Sequence, residues 1–239
     1  MSSSAAPASH VAAGIERQLA LEILRGQRAP GSQLPPVRVL ARTHGVTAPT
    51  IQRVVDRLEA GGLVSARRGS GVTVNDPERT TDLSLLSLRL EALAGEPERA
   101  ARLLADFLEL RRVLSAHLVR TASAKIMAAG AQLVACALAA EKATTTAEAL
   151  EADLAFSRVV VEAAGQSAVT AIMHTTARLV REVAPLAEAL YGDRAYHRRV
   201  VKQAAQAFGK NDVAELEDVL AAWDRRTVTR FRTALEGCK

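Results

Sequence analysis

Aromatic side chains make up only 3% of this 239-residue chain: four Phe, two Tyr and one Trp. A β-sandwich or barrel covers its pleated faces with aromatic and β-branched residues, so this scarcity argues against one. Alanine and leucine dominate the apolar share instead, which suits close-packed helices. Cysteine is just as scarce. Cys136 and Cys238 stand far apart with no CxxC spacing, which excludes a disulfide framework or cysteine zinc site and fits a reducing cytoplasm. Long apolar runs are missing too: the longest uncharged stretch, 126–140, is too short to span a bilayer, so no membrane segment is expected. The opening MSSSAAPAS has neither the basic start nor the apolar core of a signal peptide, and residues 1–9 read as disordered.

Lysine is absent from residues 1–76, which carry nine arginines and five acidic residues for a net charge of +4. Residues 77–239 hold 22 basic and 21 acidic residues, a net +1. The positive excess is modest but concentrated in the smaller segment, as expected where phosphates must be neutralised and counterions released. At 49% hydrophobic residues the chain can bury real cores, as two domains or one large one.

Residues 34–74, LPPVRVLARTHGVTAPTIQRVVDRLEAGGLVSARRGSGVTV, are the most specific part. Pro35-Pro36 cannot sit inside a helix but can open one, where a missing N–H costs nothing. Val37, Leu40 and Ala41 then recur at helical spacing until Gly45 stops the run. Thr47 suits the N-cap of the next helix, and Pro49 is tolerated in its first turn. Ile51, Val54, Val55 and Leu58 form that helix's apolar face, with Thr50, Gln52, Arg53, Asp56 and Arg57 mainly on polar faces. Gly61-Gly62 ends it. Leu63-Val64 and Val72-Thr73-Val74 read as strands joined through Arg67-Arg68-Gly69-Ser70-Gly71. Helix, tight turn, helix and basic hairpin are the layout of a winged helix-turn-helix, whose second helix enters the DNA major groove.

The boundary is expected in the polar linker Asn75-Asp76-Pro77-Glu78-Arg79, giving a DNA-reading domain over 10–76 and a second domain over 77–239. Beyond the linker only helical patterns occur, at roughly 81–95, 98–124, 128–143, 146–164, 167–191, 193–209 and 212–236. The second carries the stripe Leu103, Phe107, Leu110, Leu114 and Leu118, and Pro185 should kink the fifth. Seven helices with short connections predict an all-α antiparallel bundle, so the fold class is mainly α with a small β-hairpin wing.

These residues resemble the GntR family of bacterial transcription regulators. The matching positions are Pro30-Gly31, Leu34-Pro35, Arg38, Leu40-Ala41, Gly45-Val46-Thr47, Pro49-Thr50-Ile51, Leu58, Gly62-Leu63-Val64, and Arg68-Gly69 with Gly71. The helical part is similar, more loosely, to the ligand-binding domain of the FadR subfamily through Glu109-x-Arg111, Arg120-Thr121-Ala122, Asp153-x-x-Phe156, Ala164-Gly165 and Tyr196-His197. The resemblance implies a homodimeric regulator of double-stranded operator DNA, bacterial, cytoplasmic and nucleoid-associated, a repressor or activator whose helical domain holds an effector. Arg38, Thr47, Ala48, Pro49, Thr50, Gln52, Arg53, Arg67, Arg68, Gly69 and Gly71 are then the DNA-contact candidates. Ala48 and Gln52 stand where family members commonly carry arginine. Alanine can meet only a thymine methyl, whereas glutamine can pair with adenine, so the usual operator is not implied.

Many FadR-subfamily domains bind a divalent metal through an Asp, a His four residues later, and two later His residues. Asp153 and His197 match two of those positions; Ser157 and Trp223 occupy the others, and neither replaces imidazole. No metal or other cofactor is expected; a lone helix histidine such as His174 reads as a surface or satisfied core residue, not as a replacement ligand. Arg111 stands where the resemblance puts a residue that grips an effector carboxylate, so Arg111, Asp153, Ser157, His197 and Trp223 form the expected site for a small anion, an organic acid or an acyl-CoA. The alternatives are a buried Asp–Arg or Asp–His pair in a dimeric regulator or architectural protein with a vestigial pocket, or an enzyme using Asp153 and His197 as acid and base. No Gly-rich phosphate loop or nucleophile elbow supports the enzyme.

Overall fold

The computed structural model describes residues 5–67, 69–79 and 82–237. Its elements run α1 (Ala5–Leu24), α2 (Val37–Thr43), α3 (Ala48–Ala60), β1 (Val64–Arg67), β2 (Gly71–Val74), two 3₁₀ turns, then α4 (Leu86–Ala92). After a third 3₁₀ turn come α5 (Pro97–Ala128), α6 (Gly130–Lys142), α7 (Thr146–Ala164), α8 (Ser167–Glu182), α9 (Ala184–Tyr191), α10 (Arg194–Gly209) and α11 (Val213–Glu236). The chain divides into two compact units, Met1–Leu93 and Ala94–Lys239.

In the first unit α3 buries Ile51, Val54, Val55 and Leu58 against Ile15, Leu19 and Ile23 of α1 and against Leu34, Leu40, Leu63 and Val74. Burying side chains of this size stabilises by about 1.5–3 kcal/mol each before ordering costs. Two glycines shape the reading helix. Gly45 and Gly62 take positive φ (63° and 74°), and Val46 and Leu63 reach back to the carbonyls of Ala41 and Leu58 at 3.0 and 2.9 Å. These are Schellman closures, which a side chain at the left-handed position would strain. β1 and β2 pair antiparallel from Val64↔Val74 to Arg67↔Gly71. Beside β2, Gln33 bridges Thr73 and its Nε2 donates to the Ser70 carbonyl at 2.8 Å, clipping the wing turn.

Three expectations change here. Helix α1 begins at Ala5, so residues 5–9 are helical, and residues 1–4 lie outside the described residues. The unit boundary falls at Leu93, not in the 75–79 linker. Leu85 and Leu88 pack on the first unit's core, Leu86 and Leu90 are buried, and Arg17 pairs with Glu91, which ties α4 to α1. The Thr47 backbone is extended as an N-cap requires, but its side chain makes no cap bond; its hydroxyl meets that of Thr50 at 2.9 Å.

In the second unit α5 and α11 pack along their lengths. The ion pairs Glu98–Arg232, Arg111–Asp224 and Arg120–Glu217 run in opposite residue order on the two helices, so they are antiparallel. The buried face of α5 is Leu104, Phe107, Leu108 and Leu118; Leu110, expected in the stripe, points outward. α7 opens with a capping box in which the Glu148 N–H donates to Thr145 Oγ1 and the Thr145 N–H donates to the Glu148 carboxylate. Asp193 and Asp212 cap α10 and α11 by accepting from the Tyr196 and Glu215 N–H groups. Pro185 does more than kink a helix: Val183 leaves helical geometry and Pro185 starts α9 afresh, so 167–191 is two helices. Among the described residues no single helix is long and apolar enough to cross a membrane.

Candidate functional site

The first candidate surface is the outer face of α3 with the wing. Because Ile51, Val54, Val55 and Leu58 face the core, the helical period turns Ala48, Pro49, Gln52 and Arg53 outward, and all four are exposed. Gln52 Nε2 donates to Asp56 Oδ1 at 2.9 Å, which fixes the amide with its oxygen free of that bond. Arg38 on α2, Thr47 at the turn, and Arg67, Gly69 and Gly71 in the wing are exposed as well. Thr50 is not: it is buried beneath Thr47 and serves the helix start. Arg68 lies outside the described residues.

The second candidate is a chamber of about 150 Å³ inside the helical unit. Val119 of α5, Ala140 of α6, Phe156 of α7, Val200 of α10 and Leu220 of α11 give it an apolar wall, and Arg111, Asp153, Ser157 and Trp223 line it too. Four of the five expected site residues therefore meet there. His197 does not line it. It is fully buried behind the wall, with its ring 5.0 Å from that of Tyr191 and 5.6 Å from that of Trp223.

Partners differ from the sequence reading. Arg111 donates to Asp224 Oδ1 at 2.9 Å and stacks its guanidinium 5.4 Å from the Trp223 ring centre. Burial alone would lower the Arg111 pKa, but Asp224 and Asp153 more than offset it and hold the charge. Burial raises the Asp224 carboxyl above its usual range, with Arg111 opposing. Asp153 accepts from the Tyr191 hydroxyl at 2.8 Å, and burial beside that carboxylate pushes Tyr191 well above the ordinary phenol value. Arg194 lies 3.3 Å from His197 Nδ1 and caps α6 through the Ala140 and Ala143 carbonyls at 3.4 and 3.2 Å. Guanidinium only donates, so Nδ1 accepts and the imidazole is neutral. Sequence reasoning missed Asp224 and Tyr191. The available signal was their position beside apolar faces, Asp224 next to Trp223 and Tyr191 after Leu186 and Leu190.

The donor set does not fit a zinc-like ion. Ser157 and Trp223 offer no imidazole, Asp153 is held by Tyr191, and His197 gives Nδ1 to Arg194. His174 is exposed on α8 and lines a different groove. Among the described residues no three His, Cys, Asp or Glu side chains converge. A chelator should leave the melting temperature unchanged, and elemental analysis should give well under one metal per chain; stoichiometric zinc, nickel or manganese would contradict this.

His197 also sets a pH dependence. Burial lowers its pKa below the usual imidazole value, with Arg194 and Arg198 adding to this against Asp153. The unfolded chain then binds a proton that the folded chain refuses. The resulting stability is present above about pH 6.5 and is lost as pH falls toward the folded value. Urea melts should show up to about 1.4 kcal/mol lost per pH unit in that window. His197→Gln should flatten that part of the curve, and an unchanged slope would remove His197 from the account.

Residues 11–74 match the family described as bacterial regulatory proteins, gntR family. An uncharacterized HTH-type transcriptional regulator of Mycobacterium tuberculosis is 34% identical over 148 residues, covering 62% of this chain and 59% of that protein. A fatty acid metabolism regulator protein of an Enterobacter species is 32% identical over 112 residues, 46% of this chain and 45% of its own. An uncharacterized HTH-type transcriptional regulator of Bacillus subtilis is 33% identical over 81 residues, 34% of this chain and 67% of its own. The match thus spans about three fifths of the Mycobacterium tuberculosis regulator and less than half of the Enterobacter one. Among solved structures, the Listeria monocytogenes regulator Lar superposes with a TM-score of 0.54 at 14% identity, covering 91% of this chain and 95% of Lar, a likeness of fold. With its winged helix-turn-helix and helical second unit, the chain belongs to the GntR family of bacterial regulatory proteins.

Proposed function

We propose that the chain is a transcription regulator that binds a short, roughly palindromic operator as a homodimer and acts in the bacterial cytoplasm. The observation that carries this is the outward row Ala48, Pro49, Gln52 and Arg53 on a helix whose opposite face is locked into the core. One small reading head rarely supplies enough affinity, which favours the dimer. A small anionic effector in the helical chamber tunes operator affinity; the convergence of six helices (α5–α8, α10 and α11) on the chamber and the presence of Arg111 and Ser157 in its wall support this. An acid–base enzyme is not supported, because Asp153 and His197 turn to Tyr191 and Arg194.

The Arg111–Asp224 pair favours a second reading, in which the chamber is vestigial and the dimer a constitutive DNA-binding or architectural protein. Fluorescence anisotropy of the full chain on DNA selected from a random pool separates the two. Operator affinity should fall with salt in both, but only the first reading gives a metabolite that shifts affinity, and the operator then shifts that metabolite's affinity by the same factor. No salt-dependent DNA affinity would defeat both.

A further inference from the structure

A helix that meets phosphates gains from arginine and loses from carboxylates, yet α3 carries two exposed acidic side chains, Asp56 and Glu59. Asp56 holds the Gln52 amide. Glu59 reaches the wing: its Oε1 accepts from the Ala66 N–H of β1 at 2.7 Å. That bond ties the reading helix directly to the wing.

The wing needs such ties. At its base Val64 and Val74 are buried, but Ala66, Arg67, Gly69, Ser70 and Gly71 are exposed. A two-stranded ribbon is marginal in water on its own. The turn also holds Gly69 and Gly71 at φ of 83° and 84°, and glycine gives up the most chain entropy when it is ordered. Hydrogen bonds hold both sides of the ribbon. Residues 31–34 lie along β2: the Gly31 N–H donates to the Val74 carbonyl, the Val74 N–H to Ser32 and the Leu34 N–H to Val72, each at 2.8 Å. From this segment the exposed Gln33 extends to the turn, where its Nε2 donates to the Ser70 carbonyl at 2.8 Å. Glu59 does the same work on β1. Both side chains are exposed, so core packing does not account for either.

We propose that Glu59 and Gln33 are positioning residues for DNA binding. Glu59 fixes the first wing strand on the reading helix, and Gln33 fixes the turn. Gln52 and Arg53 on α3 and Arg67 on the wing can then meet one duplex without first ordering the wing, which would subtract from affinity. This rests on the DNA-reading face proposed above and adds two residues that act through others. Charge alone predicts the reverse for Glu59. Deleting a carboxylate beside the phosphates should tighten binding by Coulomb attraction, whereas losing the tie should weaken it.

The test is fluorescence anisotropy of the full-length chain on its selected operator, over a salt series. Glu59→Ala should weaken binding about fivefold for each reading head, as the loss of one ordinary hydrogen bond implies, and should lower the salt slope. Glu59→Gln, whose amide oxygen still accepts, should restore the wild-type affinity or exceed it. Gln33→Met, of similar length but without the donor, should repeat the loss from the other side of the wing. In an Arg67→Ala background both losses should shrink, because the contact they hold in place is gone. All these side chains are exposed, so the variants should melt close to the wild type. If Glu59→Ala does lower the melting temperature, Gln33→Met decides alone. Glu59→Ala and Glu59→Gln binding equally, both tighter than the wild type, would make Glu59 a bare charge and overturn the proposal. Losses of full size in the Arg67→Ala background would overturn it as well. A wild type without salt-dependent affinity would instead defeat the reading face itself, and the positioning role with it.

Discussion

Arg111→Ala should unfold the helical unit at much lower temperature, and Asp224→Ala should do nearly the same. Side chains that are 13% and 11% exposed form the pair, so removing one partner strands the other charge in a poorly solvated place. Breaking such a pair costs about 3–5 kcal/mol, enough to lower the melting temperature by roughly 10 °C in a unit of this size. Losing the stacking of Arg111 on Trp223 adds to the first variant but not to the second. Arg112, 3.9 Å from Asp224, can partly neutralise the carboxylate, so Arg111→Ala should fall toward the lower end of that range. The double replacement Arg111→Met with Asp224→Leu removes both charges and should recover most of the loss; measured beside Arg111→Met and Asp224→Leu alone, it should give a coupling energy of up to about 3 kcal/mol. If Arg111→Ala instead melts like the wild type and abolishes only an effector response, Arg111 grips the ligand, as the family resemblance implies.

What the sequence made legible follows from the range of the forces involved. The reading helix is set by local signals: Pro36 before α2, Gly45 in the turn, Pro49 in the first turn of α3, and an apolar face at the helical period. All of these survive in the structure. The bundle helices were equally readable from periodicity, and the break at Val183 was marked by Pro185. Pairing was not readable. Arg111 and Asp224 are 113 positions apart, and Asp153 and Tyr191 are 38 apart. Nothing local to Asp153 or His197 says that their polar atoms turn to Tyr191 and Arg194 instead of toward each other. The later end of the first compact unit has the same origin: the 75–79 linker looks like a hinge by composition, yet Leu85 and Leu88 beyond it are claimed by the first unit's core. Thr50 shows the limit of a helical wheel, since it sits on the polar side but is covered by the hydroxyl of Thr47.

Substitutions on α3 should separate positioning from base reading on DNA. Arg53 is exposed one residue beyond Gln52, on the face away from the core. If its guanidinium meets phosphate, Arg53→Ala should weaken every DNA sequence alike and reduce the salt slope by about one per reading head. Gln52 is different. With Nε2 anchored on Asp56 at 2.9 Å, its second N–H and its oxygen can face an adenine edge together. A good bidentate contact is worth about 1–3 kcal/mol of discrimination, and a dimer carries it twice, so the selected operator should lose roughly 2–6 kcal/mol with Gln52→Ala while unrelated DNA is barely affected. Asp56→Ala should reproduce part of that loss by freeing the amide, without changing the salt slope. Anisotropy titrations over a salt series, on the selected operator and on scrambled DNA, give both quantities. Equal losses on the two DNAs for Gln52→Ala would make this helix a phosphate contact and move base reading elsewhere, with the wing next in line.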